Sequence, residues 1–301
     1  EKDSSDIRFG LENKINYIAA SFVRKAQDVL DIRELLKEKN MEDVQIFPKI
    51  ESQEGIDNFE EIIAVSDGLM VPRGDMGVEI PAQNVPIVQK HMIKRCNELG
   101  KPVITATQML DSMQENPRPT RAEVSDVANA VFDGTDATML SGESANGDYP
   151  VESVAMMNDI DIKAENHLWE FGTEKFDWDK SDVTETIGSA VANAAKDLDI
   201  HTIVAYTASG YTAKMISKYR PNADIVALTP NERVERGLMI NWGVQPYVVD
   251  EMKNTDTMFD LAAKKAVELG FAKKGDKIII VAGVPLGVPG ATNMMRVKTI
   301  D

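Results

Sequence analysis

Val103-Ile104-Thr105-Ala106-Thr107-Gln108 begins as a β-rich run of strand length and ends in hydroxyls and an amide. Upstream lies a second run, Gly68-Leu69-Met70-Val71, which leads into Pro72-Arg73-Gly74-Asp75. Between the two, Val88, His91, Met92 and Leu99 recur near helical spacing among charged residues. Strand, polar turn, amphipathic helix and strand make a parallel βαβ unit, the helix covering one face of the sheet. The pattern extends outward. Ile15 to Ser21 and Val44 to Lys49 precede it, joined by a stretch with Ala26, Val29, Leu30, Ile32 and Leu36 on one face, and Ala137 to Leu140 follows it.

Each strand after the first runs into a polar cluster: Pro48-Lys49-Ile50-Glu51, Arg73-Gly74-Asp75, Thr105-Ala106-Thr107-Gln108 and Ser141-Gly142-Glu143. The chemistry therefore collects at the C-terminal edge of one parallel sheet, where (β/α)8 barrels build their active sites. Five strands are too few to close such a barrel. The pattern predicts α/β architecture over residues 1–155, either a partial (β/α)8 TIM-type barrel with the later strands only or an open sheet. Residues 156–180 read as a helix and connector: 151–180 hold eight acids and three bases, with Trp169, Phe171, Phe176 and Trp178 but no strand-like alternation.

A second domain, 181–301, follows. Asp182 with Glu185 three residues on resembles a capping box, and Val183, Ile187, Val191, Ala194 and Leu198 stripe the helix that it starts. Strands at Thr202 to Tyr206, Asp224 to Leu228, Pro246 to Val249 and Lys277 to Ala282 alternate with helices near Thr212 to Lys218, Glu232 to Asn241 and Asp256 to Leu269. This predicts a small three-layer α/β domain.

Composition excludes several classes. Of 301 residues 43% are hydrophobic and 27% charged, enough apolar material for ordinary cores. The longest apolar runs fall far short of the about 20 residues of a membrane helix. A net charge of -16 repels phosphate backbones and anionic lipid surfaces, so no nucleic-acid or membrane partner is expected. The lone Cys96 fits a reducing compartment, and a cytoplasmic location is expected. The chain begins at Glu1 rather than Met, with helix-like Asp6 to Leu11 starting almost at once, which reads as a start cut from something longer.

An ammonium and two carboxylates at adjacent strand ends, Lys49, Glu51 and Asp75, suit a divalent ion and a phosphoryl group, and an all-oxygen donor set means Mg2+ or Mn2+. An exposed surface trio would have the same spacing. The two glycines of Arg73-Gly74-Asp75-Met76-Gly77 let backbone N–H groups approach an anion, though a plain turn would look the same. Thr105, Thr107 and Ser141 offer hydroxyls for a carboxylate or a proton path, and equally for helix capping. In the second domain, Thr207-Ala208-Ser209-Gly210-Tyr211-Thr212 and the Gly283 to Gly290 loop could hold a phosphate or be ordinary turns. His91, His167 and His201 lack metal spacing, and Met109, Met113, Met156 and Met157 read as core or interface filler.

Taken in order, Phe47-Pro48-Lys49-Ile50-Glu51, Met70 to Glu79, Ile104 to Leu110, Pro117 to Glu123, Asp126 to Val131 and Met139-Leu140-Ser141-Gly142-Glu143 resemble the motifs of the pyruvate kinase family, over essentially the whole chain. That resemblance implies conversion of phosphoenolpyruvate and ADP to pyruvate and ATP, with Mg2+ or Mn2+ and usually K+. By the same resemblance Lys49 stabilises the transferring phosphoryl group, Glu51 and Asp75 ligate the divalent ion, and Gly74, Asp75 and Thr107 hold the substrate carboxylate. Ser141 and Glu143 serve the proton path. Thr207, Ser209, Gly210 and Thr212 would bind a phosphorylated allosteric effector, in a homotetramer. In the family, the first barrel strands supply the phosphate-binding arginine and the K+ ligands, a mobile lid domain inserted in the barrel closes over the site, and both precede the region resembling Glu1 onward. The resemblance therefore implies a C-terminal fragment with about half a site and no activity alone. Two rivals remain at this point: a metal-dependent or Schiff-base pyruvate aldolase, and a non-catalytic effector-binding or assembly fragment.

Overall fold

The computed structural model describes residues 2–171, 181–252, 254–287, 290 and 292–301. The chain divides into two compact units, Glu1–Glu174 and Lys175–Asp301.

In the first unit, strands β1 (Tyr17–Ala20), β2 (Gln45–Pro48), β3 (Leu69–Pro72), β4 (Val103–Ala106) and β5 (Ala137–Met139) run parallel in chain order. A single parallel bridge, Lys49 to Met70, joins the β1–β2 pair to the β3–β4–β5 sheet. Helices fill the crossovers. α1 (Lys2–Glu12) precedes β1, and α2 (Ala26–Glu38) links β1 to β2. α3 (Gln53–Asp57) and α4 (Phe59–Ala64) link β2 to β3, while α5 (Arg73–Glu79) and α6 (Val85–Glu98) link β3 to β4. α7 (Arg121–Asp133) links β4 to β5, after which come α8 (Gly142–Ala145), α9 (Pro150–Glu165) and α10 (Leu168–Phe171). Consecutive parallel strands with helical crossovers are what the later strands of a (β/α)8 barrel contain.

Burial explains the order. All four residues of β3 are buried, as in parallel strands covered on both faces. Val29 and Leu36 of α2, Ile62 and Ile63 of α4, and Met92, Ile93 and Cys96 of α6 share one core with Ile46, Leu69, Val71 and Val103. The stripes are narrower than their spacing suggested, since Leu30 and Leu99 sit at the exposed margins of their helices. Met109, Met113 and Met157 are buried with Val127, Ala130 and Ile160 in a second cluster, and Met156 packs against it. Residues 156–165, grouped above with the connector, are thus the continuation of α9 into this core. Phe176 and Trp178 lie outside the described residues.

The ends of α7 follow from its sequence. Thr120 Oγ1 accepts the Glu123 N–H at 3.2 Å, while a Glu123 carboxylate oxygen accepts the Thr120 N–H at 2.7 Å, and Gly134, at φ +96°, turns the chain out in the left-handed region. The second helical start is only half a box. Asp182 accepts from the Glu185 N–H at 3.0 Å, but the Glu185 side chain turns away to the buried Lys218 ammonium, 2.6 Å off, and to the Tyr219 hydroxyl.

In the second unit, β6 (Thr202–Tyr206), β7 (Asp224–Thr229), β8 (Val244–Val248), β9 (Lys277–Ala282) and β10 (Met294–Thr299) form one sheet in the order β10-β9-β6-β7-β8, with β10 alone antiparallel. Alternate residues of the central strands feed two cores. Ile203, Ala205, Ile225, Ala227, Ile279 and Val281 face α11 (Val183–Asp197), α12 (Tyr211–Lys218) and α13 (Glu232–Leu238), whereas Val204, Tyr206, Val226, Leu228, Ile278 and Ile280 face α14 (Thr255–Glu268). That is a three-layer sandwich. On α11 Val191 of the expected stripe is buried and Ile187 and Ala194 pack against the same core, while its ends Val183 and Leu198 are exposed and Thr184, Gly188 and Ala195 complete the buried line. The sequence reading missed β10: its residues are mostly exposed and carry Arg296 and Lys298, so its apolar signal is weak.

Among the described residues no helix is long and apolar enough to cross a membrane. His91 is exposed with its ring edge-on to Phe59, and His201 is exposed beside Asp199, so neither joins a site. Cys96 is fully buried, and burial pushes its thiol well above the usual range. In the native chain it should therefore stay unmodified by a thiol reagent at pH 8, becoming reactive only in denaturant; rapid native labelling would contradict this packing. At Gly68 a Cβ would collide with the Phe47 ring and stand 2.7 Å from the Pro102 carbonyl oxygen. Gly68→Ala should accordingly lower stability by about 1–3 kcal/mol in a denaturant titration.

Candidate active site

The strand ends of the first unit meet through their side chains. Lys49 and Glu51, two residues apart at the end of β2, point the same way. Lys49 Nζ lies 2.8 Å from Glu51 Oε1 and 3.1 Å from Ser21 Oγ, which follows β1. Glu51 is fully buried, and its Oε2 accepts the Phe22 N–H at 2.6 Å. Phe22 takes φ +52°, a left-handed conformation unusual for an aromatic residue, and so turns its amide onto the carboxylate. Glu51 Oε1 is paired with the Lys49 ammonium, so both carboxylate oxygens face a positive or donor group.

One strand over, α5 begins directly after β3. Its Gly74 N–H donates to Thr107 Oγ1 at 2.6 Å, and the Thr107 hydroxyl donates in turn to the Ala106 carbonyl at 2.7 Å. Thr107 and Gln108 hold φ +68° and +53°, two successive non-glycine residues in the left-handed region just past β4. The Arg73 guanidinium lies under this turn, with Nη2 2.9 Å from the Thr107 carbonyl and 3.1 Å from that of Gln108. Its Nη1 faces Asp126 of α7 at 2.6 Å.

At the end of β5, Glu143 is almost wholly buried and accepts two backbone N–H groups, Leu110 at 3.1 Å and Ser141 at 2.8 Å. It ties the β5 end to the turn after β4.

Three expected pairs are thus brought into contact: Lys49 with Glu51, Gly74 with Thr107, and Ser141 with Glu143. Asp75 is exposed in the first turn of α5 and shares the edge, but among the described residues no hydrogen bond or ion pair joins it to the other carboxylates. Thr105 is fully buried and bonds Thr135 at 2.9 Å, which removes it from the site. Ser21, Phe22, Arg73 and Asp126 were given no role by the sequence. Ser21 and Phe22 carry no residue-type signal, and Arg73 read as part of a turn.

The carboxylates at this edge are hard oxygen donors of the type that Mg2+ and Mn2+ take. Among the described residues no group of three or more His, Cys, Asp and Glu could form a cage. Mg2+ and Mn2+ need fewer protein ligands, because water and substrate complete their octahedra. The carboxylates at adjacent strand ends here are Glu51, buried and paired with Lys49, and Asp75, exposed.

In the second unit, Thr207 Oγ1 accepts the Gly210 N–H at 2.9 Å, and Gly210, at φ +84°, starts α12. The Thr212 hydroxyl pairs with that of Thr292 at 2.8 Å. Thr207 and Thr212 are buried, and Ser209 is the exposed hydroxyl of the four effector candidates. Val288 and Pro289 of the Gly283 to Gly290 loop lie outside the described residues. Arg220 stacks over Trp242 at 5.3 Å and donates to the Ser217 carbonyl, so both large groups are packed into the unit.

Both units match known proteins. The family model for the pyruvate kinase barrel domain matches residues 1–154, and that for the pyruvate kinase alpha/beta domain matches 185–298. A pyruvate kinase of Lactobacillus delbrueckii subsp. bulgaricus is 65% identical over 304 residues, all of this chain and 52% of that protein. One of Clostridium acetobutylicum is 52% identical over 303 residues, all of this chain and 64% of its own. One of Staphylococcus epidermidis is 56% identical over 305 residues, again covering 52% of the relative. The chain spans about half the length of the first of these relatives and under two-thirds of the second. With both of its units matched in order, the chain belongs to the pyruvate kinase family.

Proposed function

We propose that this chain carries the later-strand half of a phosphotransferase site, at which phosphoenolpyruvate gives its phosphoryl group to ADP and leaves as pyruvate. The reading rests above all on Lys49, held by a buried glutamate at a strand end beside the Gly74–Thr107 pair.

In this reaction the enol C–O–P bond breaks at phosphorus, an ADP oxygen bonds to phosphorus, and the enolate left behind takes a proton at carbon. Phosphoryl transfer asks chiefly for position and charge neutralisation. The Lys49 ammonium supplies a positive charge for the transferring oxygens, and Ser21 and Glu51 aim it. Glu51 and Asp75 would hold Mg2+ or Mn2+, which when bound neutralises phosphoryl and carboxylate oxygens. The substrate carboxylate takes the Gly74 and Asp75 N–H groups and the Thr107 hydroxyl. In the free chain the Gly74 N–H donates to Thr107 Oγ1 and the Thr107 hydroxyl to the Ala106 carbonyl, so substrate would replace two internal hydrogen bonds with charge-assisted ones. Ser141 offers a hydroxyl to the proton path. Glu143 acts through Ser141, because its carboxylate oxygens are engaged by backbone N–H groups.

The phosphate-binding arginine, the K+ ligands and the lid are expected from residues of the relatives that this chain does not match. We also assign the Thr207 to Thr212 loop to a phosphorylated effector, and the working enzyme to a cytoplasmic homotetramer. A Schiff-base aldolase is disfavoured because an ammonium paired with buried Glu51 has no free lone pair to attack a carbonyl.

The 301 residues alone, and the same residues completed with the remaining sequence of the Lactobacillus relative, should be assayed for ADP-dependent pyruvate release. Only the completed chain should turn over; full activity of the 301 residues alone would overturn the half-site reading. In the completed chain Lys49→Met should lower kcat by about 100-fold or more. Borohydride with pyruvate should leave the mass of Lys49 peptides unchanged, whereas a reduced adduct there would favour the aldolase. Glu51→Gln, which keeps the side-chain volume, should weaken Mn2+ binding followed by electron paramagnetic resonance by roughly tenfold.

A further inference from the structure

Arg73 is engaged more completely than a turn residue needs to be. Its side chain is 10% exposed, and every nitrogen of its fork has a partner. Nε and Nη2 both reach the Thr107 carbonyl, at 3.2 and 2.9 Å. Nη2 also meets the Gln108 carbonyl at 3.1 Å and Met109 Sδ at 2.8 Å. Nη1 faces both oxygens of Asp126, at 2.7 and 2.6 Å. Three consecutive residues of one turn are therefore held by one guanidinium, which α7 anchors from the other side.

The turn needs holding. Left-handed φ is costly for a β-branched residue such as Thr107, and its neighbour Gln108 repeats the strain. That backbone aims both carbonyls at Arg73, and it also places Thr107 Oγ1 2.6 Å from the Gly74 N–H. Arg73 and Gly74 are adjacent, so one residue pair fixes both ends of the contact: the guanidinium sets the turn, and the next amide meets the hydroxyl that the turn presents.

We propose that Arg73, anchored by Asp126, is a positioning residue that sets the distance between the Thr107 hydroxyl and the Gly74 amide, and so the affinity for the substrate carboxylate. The inference rests on the carboxylate reading of that pair. Only the planar fork, with donors in fixed directions, serves two carbonyls and a carboxylate at once; a lysine ammonium could satisfy one side and not the other.

The test uses Arg73→Lys and Asp126→Asn in the completed chain. Arg73→Lys should cut kcat/KM for phosphoenolpyruvate by roughly 10- to 100-fold, mainly through KM, while KM for ADP stays within about twofold. Asp126→Asn should show the same split at smaller size, because the carbonyl contacts of Arg73 remain. Equal losses for the two substrates, or an unchanged phosphoenolpyruvate KM in both variants, would overturn the inference. A second readout uses the 301 residues themselves: amide hydrogen exchange at Gly74 should accelerate at least about tenfold in Arg73→Lys while that of Phe22, bonded to Glu51, stays as it was. An unchanged Gly74 amide would contradict the proposed coupling. A completed wild-type chain that makes no pyruvate would sink the function reading, while the amide result would still report on the Arg73–turn–Gly74 contact.

Discussion

A fully buried carboxylate at the end of β2 constrains everything built around it. Glu51 cannot keep its charge out of water unless positive groups and donors meet it, since an unpaired buried charge costs several kcal/mol. Three neighbours answer. The Lys49 ammonium comes from its own strand end, the Phe22 N–H from the turn after β1, and the Ser21 hydroxyl steadies Lys49 from that same turn. The left-handed backbone of Phe22 is part of that arrangement. Both carboxylate oxygens are thus met, Oε1 by the Lys49 ammonium and Oε2 by the Phe22 amide.

The other strand ends follow the same logic of internal satisfaction. Gly74 and Thr107 bond each other, and Glu143 binds the turn after β4 to the end of β5. Polar groups at the strand ends are thus occupied by one another and kept in place by carboxylates and a guanidinium set behind them. A ligand at the proposed site would exchange partners with these groups instead of ordering loose side chains, which lowers the entropic cost of each new contact. The second unit is held together differently, by strands that are apolar on both faces and by a buried Lys218–Glu185 pair bridging α12 and α11.

Strand and helix succession was legible because parallel strands buried on both faces are short, apolar and punctuated by polar turns. Lys49, Glu51, Gly74, Thr107, Ser141 and Glu143 could be singled out as candidates because they stand directly after those strands. The rest was hidden for physical reasons. β10 lies at a sheet edge and is mostly exposed, so no alternation betrays it. Phe22 contributes a backbone amide, which any residue type could supply. Arg73 works through a fold-level contact with residues more than thirty positions away, so its role emerges only when β3 and β4 stand side by side. Thr105 looked equivalent to Thr107, but it lies within β4, buried against Thr135, whereas Thr107 has left the strand in the left-handed region.

The account depends on Glu51 and Asp75 closing around one hard cation beside Lys49. Anomalous diffraction from crystals of the chain soaked with Mn2+ and oxalate, an enolate-like dicarboxylate, tests this most directly. The account predicts one peak within bonding distance of a Glu51 and an Asp75 oxygen, with oxalate on the Gly74 amide and the Thr107 hydroxyl. A peak elsewhere, with Glu51 still paired only to Lys49 and Phe22, would contradict it.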